Sequence, residues 1–196
     1  MPARTADPAA QALLAARQSI PARLLHAPGP DAEQRETLLL TALRVPDHGA
    51  LTPWRLISLE GEAKLRFGAE LAARALARDP ALSAEKHEKE RLRYTYAPWV
   101  LVVVAQVDAD HPRIPAQEQL LSAGCVAFNL LLAAQALGFG AQWLTGWAAY
   151  DAGVAALLGL AAHERVIGFV HIGSADAPPA ERTRPAPADK VSAWTG

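Results

Sequence analysis

Three short segments gather more hydrogen-bond donors than packing alone requires. The first is Arg17-Gln18-Ser19, a guanidinium fork and a hydroxyl two residues apart. Such a pair can hold a phosphate through charge-assisted hydrogen bonds, although a basic residue that only complements a helix carboxyl end has the same appearance. The second is Arg44-Val-Pro-Asp-His48-Gly-Ala-Leu-Thr-Pro-Trp54. Its two prolines fix the backbone, Gly49 permits an unusual angle, and Arg44 and His48 can both donate to an anion or a ring carbonyl. The third is Gly138-x-Gly140-x-x-Trp143-Leu144-Thr145-Gly146, where a hydroxyl and backbone amides could line a cofactor. Read as structure only, it is an ordinary helix-to-strand connection.

Other chemistries lack their residues. There is no G-x-S-x-G elbow, and Cys125 lies in the middle of a long apolar helix, where a thiol is usually inert packing. His26, His48, His87, His111, His163 and His171 include no H-x3-H pair and no H-E-x-x-H motif, so no metal site is expected. Gly138-Phe-Gly140-Ala-Gln-Trp143 fails as a dinucleotide fingerprint, because its third glycine is Trp and a helix precedes the strand. No side chain is nominated as a catalytic acid or base.

The 196 residues suit one domain, expected over residues 1–196 with extended arms at about 1–8 and 175–196. Forty-three alanines favour close helix packing. Nineteen basic against twenty acidic residues leave a net charge of -1, which gives no reason to track nucleic acid or an anionic membrane. The longest apolar runs, Trp99–Ala105 and the stretch around Val126–Ala134, fall short of the roughly 18–20 residues of a membrane span. No apolar h-region follows the N-terminus. A soluble protein is expected, and the single cysteine fits a reducing cytoplasm.

The elements that must position the three segments can be read from periodicity. Helices are expected over Ala9–Arg17, from a capping box at Asp31-Ala-Glu-Gln34 to Arg44, over Glu62–Arg78, and after a Ser83 cap, where Glu85 and Lys89 stand four apart. Strands are expected at Trp54–Leu59, Trp99–Ala105, Ala141–Gly146 and Arg165–Ile172, with a short helix at Asp151–Leu158. The helix from Ala116 to about Leu137 carries two apolar stripes, Leu120, Gly124, Ala127, Leu131 and Val126, Leu130, Ala133, Leu137. Both sides of it must be buried, which suggests an oligomer core. The order α-α-β-α-α-β-α-β-α-β lacks a regular βαβ rhythm, so the fold class is α+β.

The string RVPDHGALTPWRL, followed by GFGAQWLTG after a long helix bearing SAGC, resembles the FMN-dependent nitroreductase family, specifically its minimal, YdjA-like branch. The resemblance implies a small central mixed β-sheet flanked by helices and an intertwined homodimer with FMN at the subunit interface. It implies that Arg17 and Ser19, matching the family's R-x-S start with Gln18 between them, bind FMN at its phosphate and its ribityl or ring edge, and that Arg44 and His48 reach the partner's flavin. Trp143, Leu144 and Thr145 would lie beside the cofactor, with Arg182 or Arg184 at the phosphate. Two departures stand out: R-R-S is R-Q-S here, and W-R-S is W-L-T. The implied activity is hydride transfer from NAD(P)H through FMN to nitroaromatic, quinone or similar small-molecule acceptors in a ping-pong cycle. A flavin-binding or storage dimer without turnover, and a flavin-cleaving or dehalogenating relative, keep the same fold. A cofactor-free interaction protein would leave the Arg44–Trp54 loop unexplained.

Overall fold

A computed structural model describes residues 5–196, and the first four positions of the expected N-terminal arm lie outside the described residues. Valine-rich β2 (Trp99–Gln106) is buried from residue 99 through 105, as an apolar run without alternation requires. It is therefore covered on both faces. β1 (Trp54–Leu59) pairs with one side of β2, β4 (Glu164–Gly173) with the other, and β3 (Gly140–Leu144) closes the order β1-β2-β4-β3.

All three ladders are antiparallel, which corrects the expected mixed sheet. The cause lies in the connections. Between β1 and β2, α3 (Gly61–Arg78) and α4 (Ala84–Leu92) run out and back against each other, so β2 starts where β1 stops. Next, α5 (Ala116–Ala136), 21 residues and thus about 30 Å long, carries the chain back across the sheet. β3 consequently runs in the direction of β2, as in a crossover unit, but β4 enters between them after the short α6 (Ala152–Leu157). With α1 (Pro8–Ala15) and α2 (Ala32–Ala42), the order of helices and strands is the expected one.

Local signals set the helix starts. At α2 the Asp31 carboxylate accepts from Gln34 N–H at 2.9 Å, and Asp31 N–H donates to the Gln34 side chain at 3.0 Å. Ser83 caps α4 and Asp151 caps α6. The Glu85–Lys89 pair does not form among the described residues; α4 uses Glu88–Arg91 and Glu90–Arg93 instead.

Two cores flank the sheet. Leu101, Val103, Val170 and Ile172 face α2 and α5, while Val100, Val102, Val104 and Phe169 face Phe67 and Leu71 of α3, together with Tyr94. Alanines 123, 127, 133 and 134 are buried on α5 and let it sit close to the strands. By length and composition α5 could cross a membrane, but it packs on β2, β3, β4 and α2 as a core helix. In the single chain both expected stripes are covered except at Leu120, and the open apolar side chains lie beside them. Leu120, Leu121 and Phe128 remain 36%, 61% and 43% exposed, and Cys125 beside them is half-buried.

Gly168 opposes the bulge at Val103/Val104, and a Cβ there would collide with the Trp143 indole nitrogen and lie 2.9 Å from the Leu144 carbonyl oxygen. The glycine makes room for a ring packed on the α5 side. Gly168→Ala should therefore cost roughly 1–3 kcal/mol through overpacking. The urea unfolding midpoint checks this, and an unchanged midpoint would show that the indole moves freely.

Candidate functional site

After α1 the chain crosses to β3 and is held against it. Ile20 N–H donates to Ala141 O at 3.0 Å, and Ala22 N–H donates to the Gln142 side-chain oxygen at 2.6 Å. Arg17 and Ser19 therefore have a fixed place, with an Arg17 Nη1 to Ser19 Oγ contact of 3.5 Å. The C-terminal segment returns to the same spot. Arg17, Gln18, Ser19, Arg182 and Arg184 line one small hollow of about 30 Å³, with Pro179 and Ala180 as its apolar wall. Five of the ten residues singled out in the sequence thus come together.

A residue that sequence reasoning missed sits among them. The Glu181 carboxylate accepts from the Gln18 amide and from Arg184 Nε at 3.0 Å, and Arg184 holds its carboxyl below the usual carboxylate range. Gln18 is turned toward this carboxylate. Three guanidiniums against one carboxylate leave the hollow with a surplus of positive charge, but its volume is about that of one water molecule. The E-R-T-R spacing, with opposite charges three apart, was the available signal.

Immediately along the chain, Pro21, Ala22 and Arg23 lead into a larger pocket of about 280 Å³. Gln142 and Leu144 form its floor with Tyr96, and Lys89 and Arg93 of the α4 region line the opposite side. Strand alternation sends Trp143 the other way: its Nε1–H donates to Ile167 O at 3.1 Å and the ring joins the α5-side core. Of the expected W-L-T trio, Leu144 faces this pocket, Trp143 does not, and Thr145 is half-buried in the turn beyond. Gly146 follows at φ 62° and ψ -171°, a conformation essentially restricted to glycine, and Arg93 Nη1 stands 3.7 Å from where its Cβ would be.

Arg44 and His48 lie elsewhere. Their loop runs along α5, where Asn129 donates to Arg44 O at 3.1 Å, Ser122 to Pro46 O at 2.6 Å, and His48 Nδ1 meets Glu118 near the helix start at 2.7 Å. The loop is strained, with Ala50 and Thr52 as well as Gly49 in the left-handed region. The Arg17 segment instead hangs from the far end of α5, where Gln135 donates to Leu13 O at 3.1 Å. Glu118, which holds His48, lies 17 residues or about 25 Å along the helix from Gln135, whereas Asn129, which holds the Arg44 carbonyl, lies six residues or about 9 Å from it. One chain does not bring His48 to the Arg17 segment.

Behind Gln142, its register neighbour His171 is wholly buried and stacks on Tyr94 with centroids 5.5 Å apart. Neither ring nitrogen has a partner among the described residues. Burial pushes the imidazole down to about 3, with Lys64 and Arg93 adding in the same direction. Lys64, itself lowered by burial, donates to Ala97 O.

The fold and site define an α+β sandwich whose two cavities, one arginine-lined and one partly apolar, adjoin. Residues 14–174 match the Nitroreductase family. A Haemophilus influenzae protein whose name proposes an NAD(P)H nitroreductase is 39% identical over 150 residues, 76% of this chain and 80% of that one. Escherichia coli K12 YdjA, named in the same way, is 34% identical over 148 residues, 75% of this chain and 79% of its own. A solved nitroreductase with bound FMN from Bacteroides fragilis has a TM-score of 0.72 at 19% identity, covering 97% of this chain and 100% of that one. The chain belongs to the nitroreductase family, and the resemblance to its YdjA-like branch holds.

The buried imidazole gives the folded state a pH dependence with a definite sign. A folded value of about 3 against an ordinary 6.5 means that only the unfolded chain takes up this proton between those limits. The associated stability is complete above about pH 6.5 and is lost as the pH falls toward 3. Glu164, held at about 2 chiefly by the Arg55 hydrogen bond, adds its own loss only below its ordinary 4.5. His171→Leu should therefore remove roughly 2 kcal/mol of the destabilisation seen between pH 7 and 5. Urea titrations of both proteins at the two pH values test this, and an equal loss of stability from pH 7 to 5 in both would refute it.

Proposed function

We propose that the protein is an FMN-dependent NAD(P)H oxidoreductase that reduces nitroaromatic, quinone or similar acceptors by a ping-pong cycle. The observation that carries this reading is the arginine hollow set directly beside the pocket floored by Gln142 and Leu144. Its donor set suits FMN: guanidiniums and a hydroxyl for a phosphate, with a broader, partly apolar pocket next to it for a ring. Support for FMN also comes from the bound cofactor of the Bacteroides fragilis relative in fold. When bound, FMN supplies the redox chemistry, accepting hydride from NAD(P)H and passing the electrons on.

The chain's own residues then bind and orient. Arg17, Ser19 and one or both of Arg182 and Arg184 hold the phosphate, and Glu181 must release Arg184 as the anion arrives. Leu144, the Thr145 turn and Gly146 present a wall on which no side chain intrudes at residue 146. Trp143 acts from behind, its indole locking the strand to Ile167.

A homodimer completes the site. The open apolar face of α5 around Leu121 and Phe128 suits a twofold contact. Packed antiparallel about Gly124–Cys125, residue 118 of one helix stands opposite about residue 131 of the other. The His48 end of each loop then approaches the partner's Arg17 end. The exposed C-terminal segment, with Val191 and Trp194 uncovered, supports an intertwined arrangement. The unpaired cysteine fits a cytoplasmic location.

Purified protein should be yellow, release FMN, and bleach when NADH or NADPH is added without oxygen; FMN that stays oxidised would overturn the reading. Arg17→Ala should weaken FMN retention by roughly 1–3 kcal/mol. Glu181→Gln should tighten it roughly two- to fivefold by removing a competing carboxylate. Equilibrium dialysis measures both, and weaker binding by the Gln variant would show that Glu181 positions the arginines.

Phe128→Asp should give a folded monomer that no longer retains FMN. Sedimentation with circular dichroism tests this, and an undisturbed dimer would place the contact elsewhere.

A further inference from the structure

We propose that Arg23 and Lys89 form an anion-selecting lip on the pocket beside Gln142 and Leu144, favouring ring-bearing donors or acceptors that carry a phosphate or carboxylate. The inference rests on the oxidoreductase reading for the identity of those molecules, but its electrostatics stand on the structure. The chain as a whole has a net charge of -1, whereas this opening is ringed by Arg23, Lys89 and Arg93. Arg93 is already spent. Glu90 accepts from its guanidinium, at 3.1 Å from Nε and through Nη2 as well, and also accepts from Trp147 Nε1 at 3.0 Å.

Arg23 and Lys89 differ from Arg93 in this respect. Among the described residues neither has an ion-pair or side-chain hydrogen-bond partner, and both are exposed. The other carboxylates on α4 do not cancel them: Glu88 is held by Arg91 at 2.6 Å, and Glu85 makes no ion pair with Lys89. The two cations come from separate elements, Arg23 from the 3-10 turn Ala22–Leu24 and Lys89 from α4. Arg23 is also anchored, because Ala22 beside it is tied to Gln142 at 2.6 Å. The Gln142 amide nitrogen makes no hydrogen bond within the described protein and adds a neutral donor below the lip. Cations concentrated at a low-dielectric opening attract anionic ligands and suppress competing neutral ones.

One chemistry has two sources here, the 2′-phosphate that distinguishes NADPH from NADH and a carboxylate on the acceptor. Steady-state kinetics would compare NADPH with NADH, and 4-nitrobenzoate with nitrobenzene, for the wild type, Arg23→Gln and Lys89→Gln. The expected result is a kcat/KM ratio favouring the anionic member of at least one pair, reduced roughly three- to fivefold by each substitution and lowered by salt. A changed dinucleotide ratio identifies the donor's phosphate, and a changed nitroarene ratio identifies the acceptor's carboxylate. If the wild type prefers neither anionic member, or the substitutions leave both ratios in place, the lip has no selecting role. Calorimetry of adenosine 2′,5′-bisphosphate against 5′-AMP gives a readout independent of turnover, and weaker bisphosphate binding by the variants supports the lip on the donor side. A protein that is not reduced by either dinucleotide but still discriminates the bisphosphate would refute the oxidoreductase reading and retain the lip.

Discussion

Helix α5 has to bury one face against three strands while its two ends hold the loops that carry polar chemistry. Its buried alanines bring the helix axis close to β2, β3 and β4, and that closeness fixes where its polar side chains can reach. Along its first two-thirds Glu118, Ser122 and Asn129 grip the Arg44–His48 loop by side-chain bonds to its histidine and its carbonyls. At the far end, Gln135 holds the last turn of α1 just before Arg17. A helix of about 30 Å keeps its own ends apart, which is why the proposed site draws on a second copy of the chain, and the exposed Leu121 and Phe128 are the apolar surface that proposal uses.

The strand β3 does the finer positioning. Its backbone accepts the Ile20 N–H, its Gln142 side chain accepts the Ala22 N–H, and its alternation sends Gln142 and Leu144 to one face and Trp143 to the other. Each bond is modest in net energy, of the order of 1 kcal/mol. Their joint effect is geometric: residues 17–23 run past a fixed strand, and the hollow and the pocket adjoin because Ser19 and Pro21 are two residues apart. Gly146 ends the strand in a conformation that a side chain would strain, and Gly168 removes the one Cβ that would displace Trp143.

Signals that act over three or four residues were legible in the sequence. The Asp31–Gln34 box and the Ser83 cap depend on neighbours in the chain and appear where expected, and the Trp54–Leu59 strand forms, although its burial does not alternate because Trp54 and Leu56 meet one core and Ile57 and Leu59 the other. What needed the fold was relative direction. No local feature says that β4 enters between β2 and β3, which makes every ladder antiparallel. Nor does the W-L-T string say which side chain points into the pocket, since a one-residue change of register reverses the faces. Glu181 was passed over because a tail carboxylate looks solvated until Gln18, 163 residues away in the chain, is found bonded to it.

The same distinction explains why the two cationic places behave differently despite similar residues. In the hollow, Glu181 occupies Arg184 and the cavity holds little more than a water molecule. Its bonds to Gln18 and Arg184 tie the C-terminal segment to the end of α1. At the larger pocket Glu90 has a different task, tying Arg93 to Trp147 and so fixing the wall of the opening. Because the carboxylate is committed there, Arg23 and Lys89 remain unneutralised at the rim. The hollow thus keeps its counter-charge among its own arginines, whereas the rim of the larger pocket has the Glu90 carboxylate committed to Arg93 and Trp147.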